Sequence, residues 1–323
     1  MSFGSGRHLL YIGFMEFKGT DILSAKQFNR GDIEFVLKTA QKFEKFALKE
    51  KRSDILAGKV LGSLFYEPST RTRFSFETAM KRLGGDVVTA VGAEFSSISK
   101  GETLEDTGRV ISSYADVIVM RHPHVGSTAQ LADGATVPVL NAGDGTGEHP
   151  TQGFLDLFTI QKECGKIDGL TVAFVGDLKR YRAVHSLAEM LTHFNVSFVF
   201  VSPPEMKMDS AFIFKLKEKG IAFRETTRME DALAVADVVY MTRIPKEYFS
   251  DPAEYEKFKG VYVLQRSMIE NNKPNAVIMH PLPRIDEITR DVDTLPGAAY
   301  FRQTQNGVTV RMTLLSLVLG ARI

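Results

Sequence analysis

This sequence of 323 residues has a single cysteine and no long apolar run. One cysteine, Cys164, excludes an intramolecular disulfide and a zinc site built from several cysteines, and it is typical of a reducing, cytoplasmic protein. The chain lacks the uncharged apolar run of about 18 residues that a membrane-spanning helix needs. The short apolar segment 9–15 is closed by Glu16 without a cleavage pattern, so we interpret it as part of the fold and not as a targeting segment.

The sequence also has almost no net charge, because 40 Lys and Arg residues balance 39 Asp and Glu residues to leave +1. It has no long basic run, so nucleic acid is not an expected partner. The seven histidines do not combine with Asp or Glu at metal-ligand spacings, and we predict no metal or other cofactor. With 44% hydrophobic and 24% charged residues, the composition is that of an ordinary globular protein.

What the sequence does contain, from residue 60 onward, is an alternation of strand and helix patterns. Short β-branched or aromatic runs predict strands at 60–65, 86–91, 116–120 and 137–140, and then at 170–176, 196–201, 237–241 and 276–279. Between the strands, apolar residues recur at helical spacing, as from Phe76 to Leu83. This alternation predicts an α/β fold of two domains, each a mostly parallel sheet flanked by helices.

The boundary between the two domains is predicted at Pro150, a residue that suits the first position of a helix. The first domain then spans residues 1–150 and the second spans 151–300. An apolar stretch at 308–319 predicts a C-terminal helix within 301–323. We expect this helix to dock back on the first domain.

Cationic and polar residues follow the predicted strands, where ligands bind in parallel sheets. The sharpest segment is Ser-Thr-Arg-Thr-Arg at 69–73, at the start of a predicted helix. Arg71 and Arg73 lie at the positive end of that helix, where a dianion such as phosphate would make them favourable. The same pattern would arise if both arginines paired with Glu67 and Glu77. Spacing alone leaves these two interpretations open.

Other strand-end residues give weaker signals. An arginine in the position of Arg121 is commonly ion-paired at the surface, and a lone histidine before a proline, such as His149, more often caps or packs than reacts. The glycine-rich segment 143–147 reads GxGxG and does not match the GxGxxG fingerprint of dinucleotide sites. It favours a flexible turn.

Taken in order, the polar segments resemble the signatures of the aspartate/ornithine carbamoyltransferase family. Residues 69–77, Ser-Thr-Arg-Thr-Arg-Phe-Ser-Phe-Glu, are similar to its carbamoyl-phosphate signature. Further similar segments follow in the family's order at 99–104, 119–123, 141–145, 149–152, 175–179, 184–187, 240–243 and 279–284. The string His-Pro-Leu-Pro-Arg at 280–284 resembles the aspartate branch, since the ornithine branch usually has His-Cys-Leu-Pro there.

The resemblance implies a reaction. The carbamoyl group of carbamoyl phosphate would pass to the α-amine of L-aspartate, giving N-carbamoyl-L-aspartate and phosphate in an early step of de novo pyrimidine biosynthesis. It implies a carbamoyl-phosphate site that consists of Ser69, Thr70, Arg71, Thr72, Arg121, His149, Gln152 and the backbone carbonyl of Leu282. The catalytic residues among them would be Arg71, Thr72, Arg121 and His149.

The second substrate and the assembly are implied in the same way. Arg182 and Arg243 match the arginines that bind the carboxylates of aspartate. Ser96 and Lys100 match a loop that a neighbouring subunit inserts into the site, which implies a homotrimer with shared active sites. A separate regulatory chain is a further candidate partner.

Two positions depart from the family pattern on the aspartate side. Pro245 stands where the family usually has glutamine, and Tyr181 stands where it usually has glycine. These departures keep two alternatives open. One is a transcarbamylase with another acceptor, such as ornithine or an ornithine derivative, and the other is a non-catalytic phosphate-binding relative.

Overall fold

The computed structural model describes residues 16–92, 97–246, 249 and 251–321. The apolar segment 9–15 and the predicted site residue Ser96 lie outside these described residues. No helix in the described ranges has the length and apolar character that crossing a bilayer requires.

Within those ranges, the first half of the chain forms a sheet of four parallel strands. They are β1 (Val60–Phe65), β2 (Asp86–Val91), β3 (Val117–His122) and β4 (Val139–Asp144). Their order in the sheet is β2-β1-β3-β4, and every pairing is parallel. Strands β1, β3 and β4 are buried along almost their whole length, as is typical of a sheet covered on both faces.

The helices of this half surround the sheet, and a long helix leads out of it. They are α1 (Arg30–Ala47), α2 (Thr70–Arg82), α3 (Leu104–Ser112), α4 (Ser127–Gly134) and α5 (Pro150–Cys164). Pro150 is the first residue of α5, where its missing N–H costs no helical hydrogen bond. Helix α5 is buried from Pro150 to Ile160 because it runs between the two halves of the molecule.

Over the part of the chain described here, the second half forms a sheet of five parallel strands. They are β5 (Thr171–Val175), β6 (Ser197–Val201), β7 (Phe223–Thr226), β8 (Val238–Met241) and β9 (Val277–Met279), in the order β7-β6-β5-β8-β9. Its helices are α6 (Arg182–Leu191), α7 (Ser210–Glu218), α8 (Met229–Leu233), α9 (Pro252–Glu256) and α10 (Arg266–Asn272). The predicted α/β class, with two parallel sheets flanked by helices, is confirmed.

The last helix, α11 (Tyr300–Val318), returns to the first half of the chain. It packs against α1, α2 and α5. Hydrogen bonds of this helix to the first half include Gly19 N donating to Val318 O at 2.9 Å and Gln305 Nε2 donating to Ala47 O at 2.9 Å. Helix α11 therefore covers an apolar face of the first half.

Helix α1 and strand β7 had no counterpart in the sequence prediction. Helix α1 precedes residue 60, where the prediction began, although Ile33, Val36, Leu37 and Ala40 have helical spacing and are buried. Its N-cap, Asn29, forms a capping box with Asp32. Strand β7 is a short edge strand with half-exposed residues, and so it lacks an apolar run.

The third and fourth strands extend further than predicted. Strand β3 includes Arg121, because Tyr66 N donates to Arg121 O at 2.9 Å and continues the pairing with the end of β1. Strand β4 continues to Asp144, whose carboxylate accepts from Glu148 N at 2.7 Å and Gly126 N at 2.7 Å. The predicted turn at 143–147 is therefore closed by hydrogen bonds to one side chain.

Candidate active site

A cavity of about 440 Å³ lies between the two sheets. Each sheet has one point where the strand order reverses, between β1 and β3 in the first and between β5 and β8 in the second. The cavity is lined by Arg121 near the end of β3 and by the segments that follow β1, β5 and β8, as expected at such switch points. The predicted site residues in its wall are Ser69, Thr70, Arg71, Thr72, Arg121, His149, Gln152, Arg182, Arg243 and Leu282.

Helix α2 presents its first turn to the cavity. That turn carries Arg71 and Thr72 where helices usually place Asp or Glu. Partial desolvation lowers the pKa of Arg71, and the cation Arg243, which also lines the cavity, acts in the same direction. Arg73 turns away, because its Nε lies 3.7 Å from Glu77 Oε1 and its guanidinium stacks on Phe74. Ion pairing thus explains Arg73, whereas Arg71 faces the cavity.

A carboxylate bridges the two sides of the cavity. Glu67 follows β1, and its Oε1 accepts from Arg121 NH2 at 2.8 Å. The same carboxylate accepts two hydrogen bonds from Arg182, each at 3.1 Å, and Arg182 begins α6 beside the second sheet. The two arginine side chains are only 12% and 11% exposed, so Glu67 neutralises cations that are largely removed from water.

His149 is the N-cap of α5 and is buried in the cavity wall. Its backbone N donates to Ser186 Oγ at 2.9 Å, which ties it to α6. Burial lowers the pKa of His149 well below its usual value, and Arg182 and Arg121 act in the same direction. The imidazole is therefore neutral near pH 7, with one N–H to donate and one nitrogen to accept.

The loop after β9 carries Leu282 into the cavity wall. His280 holds this loop, because its Nδ1 accepts from Leu282 N at 2.7 Å. The backbone N of His280 donates to Gln303 Oε1 at 3.0 Å, which connects the loop to α11. Leu282 has a φ of +56°, in the left-handed region that non-glycine residues rarely adopt, so this turn is fixed in an uncommon conformation.

The two departures from the family pattern both lie in the cavity wall. Tyr181 immediately precedes Arg182, and Pro245 is buried two residues after Arg243. Both therefore adjoin the arginines expected to bind the second substrate. A proline offers no side-chain donor or acceptor at this position.

The structure separates Lys100 from the other predicted site residues. Lys100 ends an exposed 3₁₀ turn, Ser97–Lys100, and is not part of the cavity wall of its own chain. Its expected partner Ser96 lies outside the described residues.

Glu67 and Arg311 also line the cavity, although neither was predicted as a site residue from the sequence. Glu67 was considered only as a surface partner of the nearby arginines, although its place directly after β1 was a usable signal. Arg311 lies within α11, lines the cavity and donates from NH1 to Ser75 Oγ at 2.7 Å. Burial lowers the pKa of Arg311 to about 9. The position of Arg311 in the middle of α11 gives no signal of which cavity its side chain will face.

Both halves of the chain match models of one family. The aspartate/ornithine carbamoyltransferase carbamoyl-P binding domain matches residues 20–162, and the Asp/Orn binding domain matches residues 168–318. The aspartate carbamoyltransferase catalytic subunit of Methanothermobacter thermautotrophicus is 51% identical over 302 residues, covering 94% of this chain and 96% of that protein. The protein of the same name from Thermococcus kodakarensis is 50% identical over 307 residues, covering 95% and 99%.

Solved structures are similar over the same length. The catalytic subunit of M. jannaschii aspartate transcarbamoylase has a TM-score of 0.86 and 49% identity, covering 92% of this chain and 97% of that one. Aspartate transcarbamoylase from Trypanosoma cruzi in complex with N-(phosphonacetyl)-L-aspartic acid has a TM-score of 0.88 and 40% identity, covering 94% and 97%.

Proposed function

This chain belongs to the aspartate/ornithine carbamoyltransferase family, and on that premise we propose that it transfers the carbamoyl group of carbamoyl phosphate to L-aspartate. The products are N-carbamoyl-L-aspartate and phosphate, as in de novo pyrimidine biosynthesis. One observation carries the proposal: Arg71 and Arg121 from the first sheet meet Arg182 and Arg243 from the second in a single cavity. That arrangement suits two small anionic substrates.

The phosphate of carbamoyl phosphate binds at the start of α2. The N–H groups of the first helical turn point toward it, and the helix dipole favours a dianion there. The hydroxyls of Ser69, Thr70 and Thr72 donate to phosphate oxygens, and Arg71 supplies a charge-assisted pair. Phosphate is the leaving group, so these contacts also stabilise the charge that it gains.

The carbonyl carbon of carbamoyl phosphate is attacked by the α-amine of aspartate. The carbonyl oxygen then becomes negative, and Thr72, Arg121 and neutral His149 are the donors proposed to stabilise it. Gln152 and the backbone carbonyl of Leu282 accept from the carbamoyl amino group. No covalent enzyme intermediate is needed, since the amine is itself the nucleophile.

The aspartate carboxylates bind Arg182 and Arg243, whose planar guanidinium groups match both oxygens of a carboxylate. The arrival of substrate anions alters the Glu67 bridge, because they compete with Glu67 for Arg121 and Arg182. Closing the two sheets around both substrates would orient amine and carbonyl for attack and exclude water.

The identity of the acceptor can be tested directly with the purified chain. Aspartate, ornithine and N-acetylornithine are each supplied with carbamoyl phosphate, and the carbamoylated product is measured. We expect carbamoyl-aspartate with kcat/KM at least about 100-fold above that for either other acceptor, because only aspartate presents two carboxylates to two arginines.

Product formed mainly from ornithine or its derivative would instead assign the alternative acceptor. Carbamoyl-phosphate binding with no product from any acceptor would identify a non-catalytic relative. Tyr181→Gly and Pro245→Gln, tested on the same acceptors, show how the two unusual wall residues affect the choice.

We further propose a homotrimer with sites shared between neighbours. Support comes from Lys100, a family signature residue that is exposed and lies outside the cavity of its own chain. Edge strand β2 also exposes Val88 (59%) and Val91 (45%), and Phe74 on α2 is 54% exposed. Such an apolar edge suits burial against a second copy of the chain.

Mixing two inactive variants tests the shared site. Equal amounts of Arg71→Ala and Lys100→Ala chains, unfolded and refolded together, should recover about a quarter of wild-type activity, because one in four interfaces then combines both intact residues. Arg71→Ala mixed with Arg121→Ala is the control, since both residues line one chain's cavity and no intact site can form. Mixed trimers without recovery would count against sharing.

We also propose a cytoplasmic location and a further partner chain. A single cysteine fits a cytoplasmic enzyme. The relatives are named catalytic subunits, and on that basis we propose a separate regulatory chain as a further partner. Size measurement of the purified chain with and without such a protein would test the association.

A further inference from the structure

We propose that Asp156 is a positioning residue that orients the amide of Gln152 for the carbamoyl amino group. It thereby selects carbamoyl phosphate over acyl phosphates that lack this amino group. The inference rests on the proposed function, because it concerns how the same cavity recognises its first substrate. It adds a role for a side chain that lies behind the cavity wall.

Asp156 lies in α5, one helical turn after Gln152, and its side chain is fully buried. Its Oδ1 accepts from Gln152 Nε2 at 2.9 Å and from Gln303 Nε2 at 2.7 Å. Its Oδ2 accepts from the hydroxyl of Tyr240 on β8 at 2.7 Å. One carboxylate therefore collects donors from α5, α11 and the second sheet.

The chemistry of a carboxylate fixes which end of each amide it contacts. In its ionised form the carboxylate only accepts hydrogen bonds, and its Oδ1 contacts the NH₂ end of Gln152. The oxygen end of the amide is then left for the cavity, which Gln152 lines. An oxygen in that position accepts from an amino group, whereas an NH₂ group there would repel it.

Gln303 connects Asp156 to the loop on the other side of the proposed carbamoyl position. Its NH₂ end donates to Asp156, and its Oε1 accepts from the backbone N of His280 at 3.0 Å. His280 begins the loop that brings Leu282 to the cavity. Asp156 thus fixes both acceptors proposed for the carbamoyl amino group, one directly and one through the loop.

The three donors also explain how a buried carboxyl is tolerated here. Burial raises the pKa of Asp156 to about 7, while the hydrogen bonds from Tyr240, Gln303 and Gln152 favour its charged form. Buried acceptors aimed at a substrate N–H reject an analogue that lacks it, because they would lose their partners. The hydrogen-bond network around Asp156 therefore favours carbamoyl phosphate over analogues that lack the amino group.

Binding of three ligands distinguishes the proposed positioning role of Asp156 from a general effect on protein stability. Carbamoyl phosphate has the amino group, acetyl phosphate has a methyl group in its place, and inorganic phosphate has neither. Calorimetry on the intact chain gives Kd for each, and steady-state assays give KM for carbamoyl phosphate and for aspartate. For Asp156→Leu we expect the preference for carbamoyl over acetyl phosphate to fall at least about tenfold, with the Kd of inorganic phosphate within about twofold.

The matched variant is Asp156→Asn. Its Oδ1 can still accept from Gln152 and Gln303, and its NH₂ can donate to the Tyr240 hydroxyl, which then accepts. We expect this variant to keep the preference within about threefold of wild type. KM for carbamoyl phosphate should rise in Asp156→Leu while KM for aspartate changes little.

An unchanged preference in Asp156→Leu, or equal weakening of all three ligands, would overturn the inference. If the leucine variant does not fold, Asp156→Ala provides the same measurement with a good helix former that admits water. Failure of the proposed function looks different, because the wild-type chain itself would then neither prefer carbamoyl phosphate nor form carbamoyl-aspartate.

Discussion

Replacing Arg71 by alanine should lower kcat/KM for carbamoyl-aspartate formation about 1000-fold. Arg71 stands in the first turn of α2 and faces the cavity, where the phosphate leaving group gains charge. The substitution removes a cation from a site that holds its ligand mainly by charge. Because the contact strengthens as the bond to phosphate breaks, kcat should fall as well as carbamoyl-phosphate affinity.

Arg73→Ala is the matched control for this variant. Arg73 lies on the same helix two residues away, but it pairs with Glu77 and stacks on Phe74. Loss of the Arg73 side chain should change activity less than about tenfold, since Arg73 is not part of the cavity wall. Near-normal turnover by a folded Arg71→Ala enzyme, checked by circular dichroism, would remove Arg71 from the mechanism.

Replacing Arg243 by alanine should raise KM for aspartate at least about 100-fold and also lower kcat. Arg243 follows β8 and reaches the cavity from the second sheet, where a substrate carboxylate would pair with it. Because the neighbouring Pro245 has no side-chain hydrogen-bonding group, binding of the acceptor depends more heavily on Arg243. Carbamoyl-phosphate affinity, measured by calorimetry, should stay within about threefold of wild type.

The control for Arg243 is Arg228→Ala, an exposed arginine in the same half that lies 4.0 Å from Asp231. It should leave both kinetic constants essentially unchanged. If Arg243→Ala weakened carbamoyl phosphate and left aspartate untouched, the two ends of the cavity would have been assigned the wrong way round.

The fold was predictable because its signals are local. Buried strands such as β1 and β5 are near-continuous apolar runs, and helices such as α6 repeat apolar residues with helical spacing. Strand β7 was not predicted because an exposed edge strand needs no continuous apolar run. The C-terminal ends of β3 and β4 were predicted too early. The last residues of both strands are polar, and they belong to the strands because of backbone pairing and turn hydrogen bonds, which hydrophobic periodicity does not reveal.

The site was predictable only in part for a related reason. Arg71 and Arg121 come shortly after the predicted strands 60–65 and 116–120, so the rule that ligands bind at the carboxyl ends of strands drew attention to them. The Glu67–Arg182 bridge joins residues 115 positions apart, and Asp156 meets Gln303 from 147 positions away. Contacts of that range depend on how the two sheets face each other, which no local pattern encodes.

Helix α11 has a consequence for how the protein is made. It is translated after every other helix and strand described above, yet it packs on α1 and α2, which emerge from the ribosome early. The first sheet and its helices therefore complete their core only when residues 300–318 become available. During translation they present an uncovered apolar face until α11 has been made, and such a face favours aggregation of the incomplete chain.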